Sequence, residues 1–394
     1  MKRNKRLCAL SLGLAALLAA VPAGTAFASP EFAHTAEEWE RLRDNVMEYG
    51  ELADLIHEYN TTVYQNQIAY ENARDQDFND AKDALWDQAN AMFDQADAMY
   101  PDDSYTMAPD GLYANMLYGS AMMEYYAKTA LQASESSVTD NTMLRIRYDQ
   151  QEAGLVMQAQ ILMNSYEQLE DNMALLEDSR GLLEAVYQST LIQQAQGMVT
   201  QADVLAAEES ISNLEANIQA AQKSRDQVKR SLCLLTGWSV DAEPDIRPLP
   251  ELDLSRIDRM NPDVDVETAI ANNYDVRYYT KQLVNVSEES SRNTAQSQID
   301  NAKETVRNQV RTLYETVLDQ KNTYDTALQA LALEEVNKRD MDLKYQIGTA
   351  SALEQRQEQN AYIQAQVNAE TARLNLFQAM ENYDWAIKGL VSGS

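Results

Sequence analysis

The side chains best suited to chemistry are few, and their spacing does not combine them. The 394-residue chain holds two cysteines, Cys8 and Cys233, and two histidines, His34 and His57. These do not cluster, so no Cys/His set offers zinc or iron its ligands. No glycine-rich phosphate loop and no nucleophile elbow is present. Carboxylates abound, with 62 acidic residues against 32 basic ones and a formal net charge of −30. Spread along polar runs, they read as solvated faces and not as a paired acid and base. The chain is therefore expected to be no enzyme, with no catalytic residues, no metal site and no cofactor. A surface this acidic repels phosphate backbones, which excludes nucleic acid as a partner.

What does recur is a turn. Gly197-Met-Val-Thr200-Gln-Ala-Asp203 and Gly348-Thr-Ala-Ser351-Ala-Leu-Glu354 share one pattern: a glycine, a hydroxyl three residues on, and an acid three further. Glycine tolerates the left-handed backbone that ends a helix. A Thr or Ser N-cap accepts an orphan backbone N–H, and the acid reaches back to the cap. Gly197, Thr200, Gly348 and Ser351 are thus candidate turn and cap residues. Each turn leads into a run closed by another glycine, Gly237 or Gly389, at an offset of about 151 between the two halves. A second similarity, Ile56-His57-Glu58-Tyr59-Asn60 against Ile270-Ala271-Asn272-Asn273-Tyr274, has an offset near 214. Two internal repeats follow, the first carrying about sixty extra residues.

Long helices must hold these turns. The chain has only 12 glycines and 8 prolines, with no proline from 110 to 243 or from 263 to 394. Apolar residues step by three and four along Ala207, Ile211, Leu214, Ile218, Ala221, Arg225, Val228, Leu232 and Leu235. They do so again along Tyr362, Ala365, Ala369, Ala372, Leu376, Ala379 and Tyr383, and before the first turn along Leu162, Tyr166, Leu169, Met173, Leu176, Arg180, Leu183 and Tyr187. Steps averaging 3.5 residues keep one seam on a partner helix. The expected fold is all-α: long antiparallel coiled-coil hairpins in two internal repeats. Residues 1–28 read as a signal peptide, with a basic start, an apolar run Leu7 to Val21 and the small-x-small site Ala26-Phe27-Ala28. Loss of its four basic residues takes the charge from −30 to −34. The first repeat is expected over 29–238, with an extra hairpin around 75–135. A proline-rich linker, 239–262, precedes the second repeat over 263–394. Within the first repeat a helix is expected over 36–98 and another over about 112–196. Near 286–294 either a turn or a continuous helix fits.

The second turn, Tyr345-Gln-Ile-Gly348-Thr-Ala-Ser351-Ala-Leu-Glu354, resembles the helical tip of the TolC-like outer-membrane efflux family. Gly197-Met-Val-Thr200-Gln-Ala-Asp203-Val204-Leu205 resembles its first-repeat counterpart. Both lead to Leu-Leu-Thr-Gly or Ile-Lys-Gly endings, and Asn261-Pro262 opens the second repeat, so the similarity covers most of 45–390. The resemblance implies a homotrimer whose helices form a hollow α-barrel closed by the tips. It also implies a periplasmic-type adaptor (membrane-fusion) protein and an inner-membrane transporter as partners, in an extracytoplasmic envelope location at the outer membrane. By the same resemblance Asp203 bonds Tyr345 as a latch and Glu354 lines the closed entrance. Two departures stand out. Ala350 occupies the position of the family's gate arginine, and nothing between 275 and 310 alternates as the family's membrane strands do. The Met- and Tyr-rich stretch 92–126 reads as a helical-hairpin end packed by adaptable Met side chains, or as a membrane-contact or assembly tip. The functional expectation is the passive outer conduit of a tripartite efflux or type I secretion system. The alternative is a coiled-coil scaffold of the envelope with no duct.

Overall fold

The computed structural model describes residues 35–74, 78–101, 112–136, 139–286 and 289–391. The leader, His34, Tyr105 and Met107 lie outside the described residues. The chain divides into two compact units, 1–44 and 45–394. The first contains α1 (Ala36–Arg41), opened by a capping box between Thr35 and Glu38.

The second unit is helical almost throughout. In order it contains a two-residue strand β1 (Val46–Met47), α2 (Leu52–Tyr59), α3 (Thr61–Arg74), α4 (Phe78–Met99), α5 (Leu112–Ser136), α6 (Asn141–Ala195) and α7 (Gln201–Leu235). After these come β2 (Asp245–Ile246), α8 (Ser255–Arg259), α9 (Pro262–Asn272), α10 (Tyr274–Asn285), α11 (Glu289–Gln346) and α12 (Ala352–Ile387). The fold class is all-α, with β1 and β2 pairing in parallel as the described sheet. At 1.5 Å per residue, the 55 residues of α6 and the 58 of α11 extend about 80–90 Å each. Helices of that length need partners for their apolar stripes. The α6–α7 and α11–α12 hairpins supply them, and α6 also packs along α12.

The heptad positions of α7 and α12 are shielded, though not alone: Val204, Cys233, Leu374, Phe377 and Met380 outside the series are buried too. Ile218 and Leu232 are buried on α7, and Ala365, Ala369, Ala372, Leu376, Ala379 and Tyr383 on α12. The seam proposed for α6 is incomplete. Several of its buried residues, Met157, Met163, Asn164 and Leu175 among them, lie off that seam, because α6 is gripped by two neighbours. Asn164 donates through Nδ2 to the Leu374 carbonyl of α12 at 2.8 Å.

Two single-helix expectations are corrected. The stretch 36–98 resolves into α1, α2, α3 and α4, and the break between α2 and α3 is made by a side chain. Buried Asn60 accepts from the amides of Thr62 and Val63 while its Nδ2 reaches the Leu235 carbonyl. The stretch 112–196 breaks into α5 and α6, with Asp140 as the new N-cap, accepting from Met143 N–H at 2.9 Å. Burial works against this carboxylate. Hydrogen bonds from Asn285, the Met143 amide and Lys281 nonetheless hold it below the usual range. α10 ends at Asn285 and α11 begins at Glu289, so a continuous helix through 286–294 is ruled out, and Arg292 donates to the Val286 carbonyl at 3.1 Å. Only residues 286–288 separate the two helices, too few for two membrane strands of roughly ten residues each. The linker also carries a helix, α8, that its prolines did not announce.

Asn273 repeats the Asn60 device in the second half. It accepts from Val276 N–H at 3.0 Å and donates to the Gly389 carbonyl at 3.1 Å. Beside it lies a hydrophobic core, where Val266, Ile270, Val306, Val310, Leu376, Met380 and Tyr383 pack between α9, α11 and α12. The buried Tyr383 hydroxyl donates to Asp265 at 2.7 Å.

Candidate functional site: the paired hairpin tips

Both tips are built from backbone outwards. Gly197 (φ 72°) and Gly348 (φ 75°) end α6 and α11 in the left-handed region. At the first tip Met198 N–H donates to the Gln193 carbonyl at 2.9 Å, and Gly197 N–H to Gln194 at 2.8 Å. At the second, Thr349 N–H donates to Lys344 at 2.9 Å and Gly348 N–H to Tyr345 at 3.0 Å. This is the six-to-one and five-to-two pattern of a Schellman cap. The same pair of bonds closes α7 at Gly237 and α12 at Gly389.

Each following helix opens with a reciprocal box. Asp203 accepts from Thr200 N–H at 2.7 Å while the Thr200 hydroxyl accepts from Asp203 N–H. Glu354 accepts from Ser351 N–H at 2.7 Å, and the Ser351 hydroxyl accepts from Glu354 N–H. The Thr200 hydroxyl and amide hold Asp203 below the usual carboxylate range, and the Ser351 amide and hydroxyl do so for Glu354. Depressed carboxylates stabilise their caps above the ordinary carboxylate pKa, and that support is lost as pH falls through the lowered value. The protection factors against hydrogen exchange at the first amides of α7 and α12 should therefore fall on acidification. Thr200→Ala should cost about 1 kcal/mol at the α7 start. Protection unaffected by both changes would contradict the capping assignment.

The remaining tip residues are placed as follows. Tyr345 keeps its side chain exposed. Among the described residues no hydrogen bond joins Asp203 to Tyr345 within one chain, and the Asp203 carboxylate is engaged by Thr200. Glu354 is likewise held by Ser351. The hairpins instead touch a few turns behind the tips. Asn360 of α12 donates to Asp178 at 3.1 Å and to Ser179 at 3.0 Å on α6. The Arg356 guanidinium lies 2.5 Å from where a Gly181 Cβ would be. That contact was missed in the sequence, although an isolated glycine within a helical run signals close approach. Around the tips Ile192, Met198, Leu205, Leu343 and Ile347 are exposed. Leu333, Val336 and Leu343 of α11, with Ile347 just past its end, share one face at heptad spacing that Asp340 interrupts, and they are exposed in one chain.

Farther along the α6–α12 seam sits a charged clasp. Arg373 donates to Glu167 at 2.7 Å and to Glu370 at 2.6 Å, and Glu167 also accepts from Leu249 N–H at 2.6 Å, fastening the linker. Beside it Asp171 has a buried, unpartnered oxygen. Burial, then the charges of Glu370 and Glu167, push its pKa up to about 6. An acid raised in the fold binds more protons folded than unfolded, so its contribution is present below the ordinary pKa and lost as pH rises through about 6. Asp171→Asn should raise the melting temperature at pH 8 and leave it nearly unchanged at pH 4. A lower melting temperature at pH 8 would contradict this reading. Among the described residues no group of three His, Cys, Asp or Glu side chains stands so as to hold a metal ion.

The fold is TolC-like. The Campylobacter jejuni CmeC outer membrane channel is similar with a TM-score of 0.51 at 11% identity, over 90% of this chain and 89% of that one. The open state of the Neisseria gonorrhoeae MtrE outer membrane channel is similar with a TM-score of 0.51 at 12% identity, over 87% and 90% of the two chains. No protein-family model and no curated protein matches the sequence.

Proposed function

We propose that this chain is the outer conduit component of a tripartite efflux or type I secretion system, a non-enzymatic homotrimer in the cell envelope. The observation that carries this reading is the pairing of two long, separately capped hairpins whose tips keep an apolar stripe uncovered. A stripe on α11 at coiled-coil spacing calls for a helix from outside the chain. A ring of copies supplies one without leaving an open edge. In this reading the tips close one end of the duct. Asp203 and Tyr345 meet when the tips draw together, and Glu354 lines the entrance. An adaptor meets the exposed tip residues, and an inner-membrane transporter provides the energy, the sequence having no glycine-rich phosphate loop. Only the helical duct is assigned here, since the α10–α11 connection has no room for membrane strands.

Deleting the chain in its own cell should raise the retention of efflux dyes, read as intracellular fluorescence. Unchanged retention with a disturbed envelope would favour a scaffold. Cysteines at 203 and 345, with Cys233→Ser, should cross-link on oxidation in the assembled protein. An assembled oligomer without that cross-link would remove the latch. Glu354→Gln should weaken block of the duct by multivalent cations, and unchanged block would move Glu354 away from the entrance.

A further inference from the structure

The α4–α5 hairpin leaves the long bundle where α3 ends and α6 begins, and Asn141 there donates to the Arg74 carbonyl at 3.2 Å. It therefore sits at the end of α6 remote from the tip. One face of α5 is satisfied by α4. Ser120 donates to the Ala96 carbonyl at 2.8 Å, Ala127 is buried, and Gly119 gives room to Met99. The opposite face has no such partner. Tyr118 is 69% exposed and Tyr125 64%, with Leu117, Tyr126 and the neighbouring Met99 and Tyr100 also exposed. No charged residue occurs from 112 to 123. A helix apolar on both faces is ordinarily covered on both.

Charge and length decide what covers it. Spanning a bilayer takes about 20 apolar residues. Packed α4 brings Asp80, Asp83, Asp87, Asp94 and Asp97 alongside, and no described helix is long and apolar enough to cross a membrane. Helices that lie on membrane surfaces are typically rich in Lys and Arg, whereas α4 and α5 have only Lys82 and Lys128. That leaves protein. Two copies of a chain with net charge −30 repel through most of their surfaces, so contact between copies falls on charge-free ones. Beyond the leader the charge-free stretches of twelve or more residues are 59–70, 111–123, 153–166 and 185–202. The stretch 153–166 is largely covered by the neighbours of α6, whereas 59–70, 111–123 on α5 and 185–202 at the first tip keep apolar side chains exposed. The four exposed tyrosines with Leu117 and Met99 offer on the order of 600 Å², most of the roughly 800 Å² per partner in a standard specific interface.

We propose that the outward face of α5 packs against the α4–α5 hairpin of another copy of this chain, tying the oligomer together at the end remote from the tips. This rests on the assembly proposed above, and the experiment separates the two. In the full chain, Tyr118→Glu with Tyr125→Glu should leave helix content unchanged, because both side chains are exposed. Self-association measured by sedimentation should weaken about a hundredfold. An intact oligomer in the variant overturns the α5 interface and leaves the conduit standing. A wild-type chain that is monomeric overturns both. A photo-cross-linking amino acid at 118, in a mixture of ¹⁴N- and ¹⁵N-labelled chains, provides a readout that does not depend on the substitutions. Mixed-label adducts within 78–136 are expected, whereas adducts solely to lipid or to other proteins overturn the proposal.

Discussion

Gly389→Ala should cost roughly 3 kcal/mol or more of stability, and Gly348→Ala only about 1 kcal/mol, although both glycines close a helix in the same way. Both have positive φ, 103° at Gly389 and 75° at Gly348, so alanine is strained at either. The surroundings make the difference. A Cβ at Gly389 would stand 2.3 Å from the Asn272 carbonyl oxygen and 2.5 Å from its carbon, which is backbone that cannot swing aside. At Gly348 nothing lies within 4 Å. Gly237, whose Cβ would meet Tyr59 at 2.4 Å, should behave like Gly389, and Gly197 like Gly348. Urea unfolding followed by circular dichroism measures the four losses. Equal losses would mean that the base glycines are not clamped against the helix starts beside them.

The second large effect lies at the same end of α12. Arg256 of α8 donates to Asp384 at 2.6 Å and pairs with Glu381 at 2.8 Å, and Glu381 is a buried acid. Removing one partner of a buried pair leaves an uncompensated charge, so Arg256→Met should cost about 3–5 kcal/mol at pH 8. A small loss would show that Arg256 does not neutralise Glu381. The prolines of the linker concealed α8, yet that short helix carries the arginine facing α12.

Local chemistry was the legible part of this chain. Gly197, Thr200 and Asp203 lie within seven residues and interact with one another, so their spacing alone spells the turn. The seam of α7 also shows, because α7 mainly faces one neighbour, and that of α12 shows through its alanines although Leu374, Phe377 and Met380 bury a further face. On α6 two periods overlap, one toward α7 and one toward α12, and a single heptad reading finds only the first. The breaks at Asn60 and Asn273 were hidden for another reason. No glycine or proline marks them, and each asparagine turns the chain by hydrogen-bonding a carbonyl more than a hundred residues away. Their equivalence sets the repeat offset at this end at 213, one less than the Ile56–Ile270 match suggests. Contacts such as Asn360 with Asp178 depend on the register of two helices joined through the whole linker. No local spacing carries that information.

Assembly joins all of these elements. The uncovered stripe on α11, the bare face of α5 and the tips each imply neighbours that one chain cannot provide. Native mass spectrometry of the purified chain, in buffer and in mild detergent, tests this most directly. Three copies per particle in at least one condition is the expected result. A monomer or a dimer in both would contradict the conduit and leave a TolC-like fold put to a different use.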